Sequence, residues 1–195
     1  MKESKSAVRL LYASAVFIAS AVVFCAVFAP LLAPYDPSAV SPEEILEHSS
    51  AAHWFGTDAL GRDILSRVIY GARSSVAFAF CSAFCTMALG LSLGMVSGYF
   101  GGLADKSVQC LVALFQGLPG TSLMIAIAAI LPENDFRIII ALTLTSWTGF
   151  SRIVRNEVLR IKGETYMEGI RSIGAGHWYI LRKYVFPNLL PVLIV

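Results

Sequence analysis

The chain has 195 residues, 56% hydrophobic and 14% charged, with a mean hydropathy of +0.69 and a formal net charge of +2. An ordinary soluble domain carries roughly a quarter charged residues, so the composition excludes a soluble globular protein and indicates an all-α, polytopic membrane protein. The small positive charge is segregated by region rather than gathered into one patch, which excludes a nucleic-acid-binding surface.

A leader, residues 1–9, holds Lys2, Lys5 and Arg9. The apolar run that follows, from about residue 8 to 32, is long for a signal-peptide core and lacks a small-x-small cleavage site, so 10–32 is expected to be a retained first span. The loop 33–74 opens on A-P-Y-D-P, a proline-punctuated exit from that span. In its second half Leu60, Ile64, Leu65, Val68 and Ile69 recur at helical spacing with Arg62, Asp63, Ser66 and Arg67 between them. That pattern predicts an amphipathic helix at the outer surface.

The rest, 75–195, reads as a transmembrane domain with spans at 75–96, 108–131 and 138–158. The glycine-rich turn S-G-Y-F-G-G-L-A-D-K joins the first two of these. Trp147, Arg152 and Arg155 make the second half of the last one polar, and it is expected to leave the bilayer before Arg155. About four complete spans result, and a fifth begins near Val185, its start marked by Pro187 and Pro191. A helix over 186–195 rises about 15 Å, half of a hydrocarbon core about 30 Å thick. Carbonyls left unpartnered in lipid cost several kcal/mol, so the expectation is a truncated product.

The loop 33–74 has three arginines against six acids, whereas Arg152, Arg155, Arg160, Lys162, Arg171, Arg182 and Lys183 cluster late in the chain. By the positive-inside rule the leader and residues 160–184 are cytoplasmic and the 33–74 loop is outside. Cys25, Cys81, Cys85 and Cys110 lie in apolar segments without metal-ligand or disulfide spacing and read as packing residues. His48 and His53 share the outer loop and His177 lies across the membrane, so no metal site is expected. No G-x-x-x-x-G-K-[ST] phosphate loop occurs, so ATP hydrolysis is not expected of this chain. The apolar cores of the spans carry no carboxylate or lysine of the kind that an ion channel or secondary transporter needs.

Gly90, Gly94 and Gly98 repeat every four residues, a small-residue face suited to close helix packing. Farther on, E-T-Y-M-E-G-I-R-S-I-G-A-G interrupts the apolar runs with a helix signal of its own. Thr165 followed by Glu168 fits a capping box, and Gly174 and Gly176 fit helix-terminating positions. The predicted helix, 166–173, has two turns, and isolated helices below about 12 residues are marginal in water. Its stripe of Tyr166, Met167, Ile170 and Ile173 must therefore dock, on lipid or in a groove of another protein. Gly169 favours a protein, because glycine weakens a helix unless something must approach closely.

Y-M-E-G-I-R-S-I-G followed by H-W-Y-I-L-R-K-Y-V-F-P-N resembles the E-A-A…G coupling loop of binding-protein-dependent ABC importer permeases. H-W-F-G-T-D-x-L-G-R-D-x-L-S-R, then G-Y-F-G-G-x-x-D, then W-x-x-x-S-R-x-V-R, resemble the dipeptide/oligopeptide/nickel permease family. The likeness runs from residue 30 to 195.

The resemblance implies a permease subunit of an ATP-driven importer in the cell inner membrane, its N-terminus cytoplasmic, for di- or oligopeptides, nickel or a related small solute. The implied partners are two ATP-binding subunits, a second similar permease and an extracytoplasmic binding protein. ATP and Mg would be bound by the ATP-binding subunits, and no cofactor is implied in this chain. Coupling to the ATPase falls on Tyr166, Glu168, Gly169, Ile170, Arg171 and Gly174. Asp58, Arg62 and Asp63 read either as a solvated loop with local pairs, each worth under about 1 kcal/mol, or as a docking surface for the binding protein. E-G-I stands where the family shows E-A-A, and Gly169 loosens the helix by about 1 kcal/mol. Because family members resemble six-span units, the alternative is a transport-incompetent membrane fragment.

Overall fold

The computed structural model describes residues 2–134 and 136–194. Among them every regular element is a helix, and the only strand-like contact is an isolated antiparallel bridge between Thr57 and Asp63. The chain is all-α. It divides into two compact units, residues 1–79 and 80–195.

In the first unit, α1 (Lys2–Val27) is apolar all round from Leu10 onward, and Leu10, Phe17, Val22 and Val27 are exposed. A helix without a polar face belongs in hydrocarbon. The chain then breaks at Phe28 and restarts as the single turn α2 (Ala29–Leu32), with Pro30 in its first positions. The following loop folds back on itself. The Ser41, Leu46 and Thr57 amides donate to the carbonyls of Leu60, Asp58 and Glu47 at 3.3, 3.2 and 3.1 Å. Gly61 closes it: its φ is +72°, and a Cβ there would stand 1.8 Å from the Ser41 carbonyl oxygen.

The helix α3 (Ile64–Phe100) has 37 residues. The separate amphipathic helix and the second span expected around 58–74 and 75–96 are therefore one element, while Leu60 lies in the loop before it. No proline falls between Ile64 and Phe100 to divide it.

In the second unit, Gly101 and Gly102 turn the chain at φ +68° and +55° into α4 (Gly102–Gln116), followed by α5 (Gly120–Ile130). The third expected span, 108–131, is thus two helices, bent by 91°. The cause is Pro119, which has no N–H to give and disfavours helical backbone at Leu118. Then come α6 (Phe136–Lys162), α7 (Thr165–Ser172), α8 (His177–Ile180), a π turn (Leu181–Val185) and α9 (Phe186–Ile194). Among the described residues only α1 and α3 are long and apolar enough to cross a membrane unaided, and α4 with α5 adds a third if the bent pair is one span. At about 40 Å, α6 has the length but carries polar residues through its second half. Of the four expected spans, the first two lie in single apolar helices, the third is the bent pair and the fourth lies within α6.

Two smaller expectations also change. Cys81, Cys85 and Cys110 are exposed and Cys25 is half-buried, so three of the four do not pack inside this chain. Pro187 and Pro191 do not begin a helix: α9 continues the helical course from His177, and Pro191 lies in its interior. The π turn accommodates the first proline, since the Phe186 N–H reaches back to the Leu181 carbonyl.

Candidate functional site

The core of the second unit forms where α3, α6, α7 and the α8–α9 segment meet. Gly90, Gly94 and Gly98 of α3 face α6. A Cβ on Gly90 would come 3.0 Å from the Trp147 carbonyl oxygen, on Gly94 2.6 Å from that of Ser151, and on Gly98 2.9 Å from that of Arg155. The two backbones approach too closely for any side chain on α3. Ser151, fully buried, fits this seam by its small size.

At the end of the seam stands a polar cluster. The Arg155 guanidinium grips Asp105 by two bonds of 2.6 Å, and Ser97 Oγ donates to the same carboxylate at 2.5 Å. Both charged side chains are about one quarter exposed. Lys162 Nζ donates to the Tyr99 carbonyl at 2.8 Å, which places a cation at the C-terminus of α3. The Tyr99 ring is buried, and its hydroxyl is hydrogen-bonded to His177 Nδ1 at 3.0 Å.

On this frame sits α7. Its start differs from the capping box: Glu164 is the cap residue, no side chain caps the helix, and Thr165 is already inside it. The Met167 N–H bonds instead to the Glu164 carbonyl at 2.9 Å, because the tight turn after α6 delivers the chain already wound. Its end is a Schellman motif. Gly174 has φ +81°, its N–H bonds to the Arg171 carbonyl, and the Ala175 N–H bonds to that of Ile170. Gly176 does not end α7 but caps the start of α8.

The apolar stripe is divided. Met167 is fully buried against Tyr99, Val154, Val158, Ile161, Ile180 and Val185, and Ile170 packs at the edge of that cluster. This part of the stripe docks on the chain itself, and burying the Met167 side chain stabilises the contact by about 1.5–3 kcal/mol. Tyr166 and Ile173, by contrast, are 44% and 83% exposed. With Glu168, Gly169, Arg171 and Gly174, also exposed, they form an open face. A Cβ on Gly169 would meet nothing within 4 Å.

The outer loop of the first unit holds a second constellation. His53 Nδ1 lies 3.0 Å from Asp63 Oδ1, both residues buried, and Asp63 Oδ2 accepts the Ser66 N–H at 2.7 Å. Asp63 is thus the anion at the start of α3 and is turned inward, unavailable as a docking group. Asp58 accepts from the Leu60 and Arg62 amides and from the side chains of Arg62 and Arg67. The Asp58 and Arg62 side chains remain 18% and 26% exposed. The Arg62 side-chain bond, helped by the two amides, holds the Asp58 carboxyl well below the usual carboxylate range. Glu44 Oε2 lies 3.7 Å from His53 Nε2, but no group of three or more residues placed to hold a metal ion occurs among the described residues.

The Asp63 hydrogen bond raises the His53 pKa above its ordinary 6.5. Burial pushes the Asp63 carboxyl up, but its bonds from Ser66 and His53 outweigh that and hold it below its ordinary 3.8. The histidine's contribution is therefore complete below about pH 6.5 and is lost as pH rises through its raised value. The aspartate's is complete above about pH 3.8 and is lost as pH falls. Hydrogen-exchange protection of the Thr57 and Ile64 amides is expected to be greatest between about pH 4 and 6.5 and to decline on the alkaline side. A His53→Gln chain that keeps the alkaline decline would refute this.

Residues 90–195 of the chain, more than half of it, match the family described as the binding-protein-dependent transport system inner membrane component. The chain belongs to that family. Members of that family are inner membrane components of binding-protein-dependent transport systems.

Among curated relatives, the oligopeptide transport system permease protein OppC of Bacillus subtilis (strain 168) is 34% identical, covering 89% of this chain and 57% of the relative. The dipeptide transport system permease protein DppC of the same strain is 37% identical over 92% of this chain and 56% of its own length. The glutathione transport system permease protein GsiD of Pectobacterium atrosepticum is 35% identical over 89% and 58%. The chain thus spans a little over half the length of these relatives.

The family motifs now have physical content. In W-x-x-x-S-R-x-V-R, Trp147 packs on Val108, Val112 and Phe115 of α4, Ser151 and Val154 meet the glycine seam, Arg152 bonds Gln116 and Arg155 holds Asp105. In G-Y-F-G-G-x-x-D, Gly98 lies on α6, Tyr99 forms the floor under Met167, the two later glycines make the turn and Asp105 closes the clamp. Sequence reasoning missed the Ser97–Asp105–Arg155 cluster and the Tyr99–His177 bond. The one available signal was that unpaired charges beside apolar spans need partners.

Proposed function

We propose that this chain carries the coupling part of a permease subunit in an ATP-driven importer of di- or oligopeptides or a related small solute, nickel included. The observation that carries the reading is α7: a two-turn helix held to the membrane helices by Met167, with Tyr166, Glu168, Gly169, Arg171 and Ile173 open. Such an element passes a push on its outer face directly into α3, α6 and α9, whose buried side chains form its floor.

The partner that pushes is an ATP-binding subunit, one of two, whose closure uses ATP and Mg bound on its own chain. A Gly169 without internal contacts supports close approach by that subunit. A second permease and an extracytoplasmic binding protein complete the assembly, the latter choosing the solute and meeting the outer loop near Asp58 and Arg62. The leader and α7 are cytoplasmic, as the distribution of lysine and arginine supports.

Co-purification tests this. The chain is expected to retain its ATP-binding subunit in detergent, and a Glu168→Ala, Gly174→Asp double variant to lose it. If the native chain retains nothing, the coupling reading falls and the fragment reading replaces it.

A further inference from the structure

We propose that the second unit holds a binding site for one anionic phospholipid, in the groove between the last turns of α3 and the α8–α9 segment. The groove has a volume of about 610 Å³ and is walled by Met95, Val96 and Phe100 on one side and Trp178, Arg182 and Phe186 on the other.

Three features select the ligand. The walls are apolar apart from Ser92, whose hydroxyl bonds the Ala88 carbonyl of its own helix, and one cation, Arg182, which has no ion pair and no hydrogen-bond partner among the described residues. Trp178 and Arg182 are one helical turn apart, so they share a face, and both are exposed. Phe100 at the end of the first wall meets His177 at the start of the second segment, their rings 6.0 Å apart, and Phe186 lines the groove further along that segment.

A tryptophan and a basic side chain at the mouth of an apolar slot match the two ends of a phospholipid. The ring and guanidinium meet the headgroup, and Met95, Val96 and Phe186 meet the acyl chain. An apolar helix from another protein would cover Arg182 without supplying an anion, and burying an unpaired charge is unfavourable. A free phosphate would leave the apolar walls empty. The site needs neither a particular solute nor the coupling contact, so it stands or falls separately from the transport reading.

The test compares lipids retained by the purified chain after reconstitution into nanodiscs of phosphatidylcholine and phosphatidylglycerol with identical acyl chains. Phosphatidylglycerol is expected to be enriched about fivefold over the bulk, the effect of one basic residue near a membrane surface. Arg182→Gln is expected to abolish the enrichment, and Val96→Trp, which fills the slot from an exposed position, to remove bound lipid of both kinds.

Equal enrichment in Arg182→Gln, or no enrichment in the native chain, overturns the proposal. So does competition by glycerophosphate alone, which would assign the site to a free anion. Efficient cross-linking of a Val96→Cys chain to a second protein in native membranes would overturn it in favour of a covering helix.

Discussion

Replacing Gly94 with alanine is expected to destabilise the chain by about 2 kcal/mol, in the range measured for overpacked cores. The added methyl would stand 2.6 Å from the Ser151 carbonyl oxygen and 2.8 and 2.9 Å from Val154 atoms. Val154 has other contacts to lose, and the Ser151 oxygen belongs to the backbone of α6, so relief requires the two helices to part.

Gly149→Ala is the matched comparison. It lies on α6 in open space, with nothing within 4 Å of the added methyl, and alanine there raises helix stability by up to about 1 kcal/mol. Thermal unfolding in detergent, followed by circular dichroism, should move in opposite directions for the two variants. Equal shifts would mean that the α3–α6 seam is not packed as described.

The second large effect is at the clamp. Asp105→Asn leaves Arg155 beside a neutral amide and removes the charge from a two-bond pair, and so does Arg155→Gln from the other side. With both side chains about one quarter exposed, the cost lies between the values for surface and buried pairs, roughly 2 kcal/mol for either single change. The double variant is expected to cost clearly less than the sum, because the two single variants remove the same interaction. Strict additivity in a thermal-unfolding cycle would show that the pair is not coupled.

How much of this was legible in the residues can be judged at α7. Its existence, its length and its glycine terminator follow from E-T-Y-M-E-G-I-R-S-I-G, because a two-turn helix and a left-handed Gly174 are local matters. Which residue capped it was misread: Thr165 and Glu168 have the spacing of a capping box, but the turn from α6 had already set the backbone. The division of its stripe was not legible at all. Met167 and Ile173 are equally apolar, and only the floor made by Tyr99, Val154, Val158 and Val185 buries one and leaves the other exposed.

Composition and periodicity by themselves determined an all-α membrane chain, the approximate positions of its helices and the glycine face at 90, 94 and 98, since each of these signals lies within a few turns of sequence, and the likeness to a family rested on short motifs of the same local kind. Only the tertiary structure decided that Arg155 holds Asp105, 50 residues away, and that His177 meets Tyr99, 78 residues away. It also decided that Asp63 turns inward to His53. A charge states that it needs a partner without naming one. The choice depends on where Gly101, Gly102 and Pro119 turn the helices, and those turns act on distances that no local pattern records.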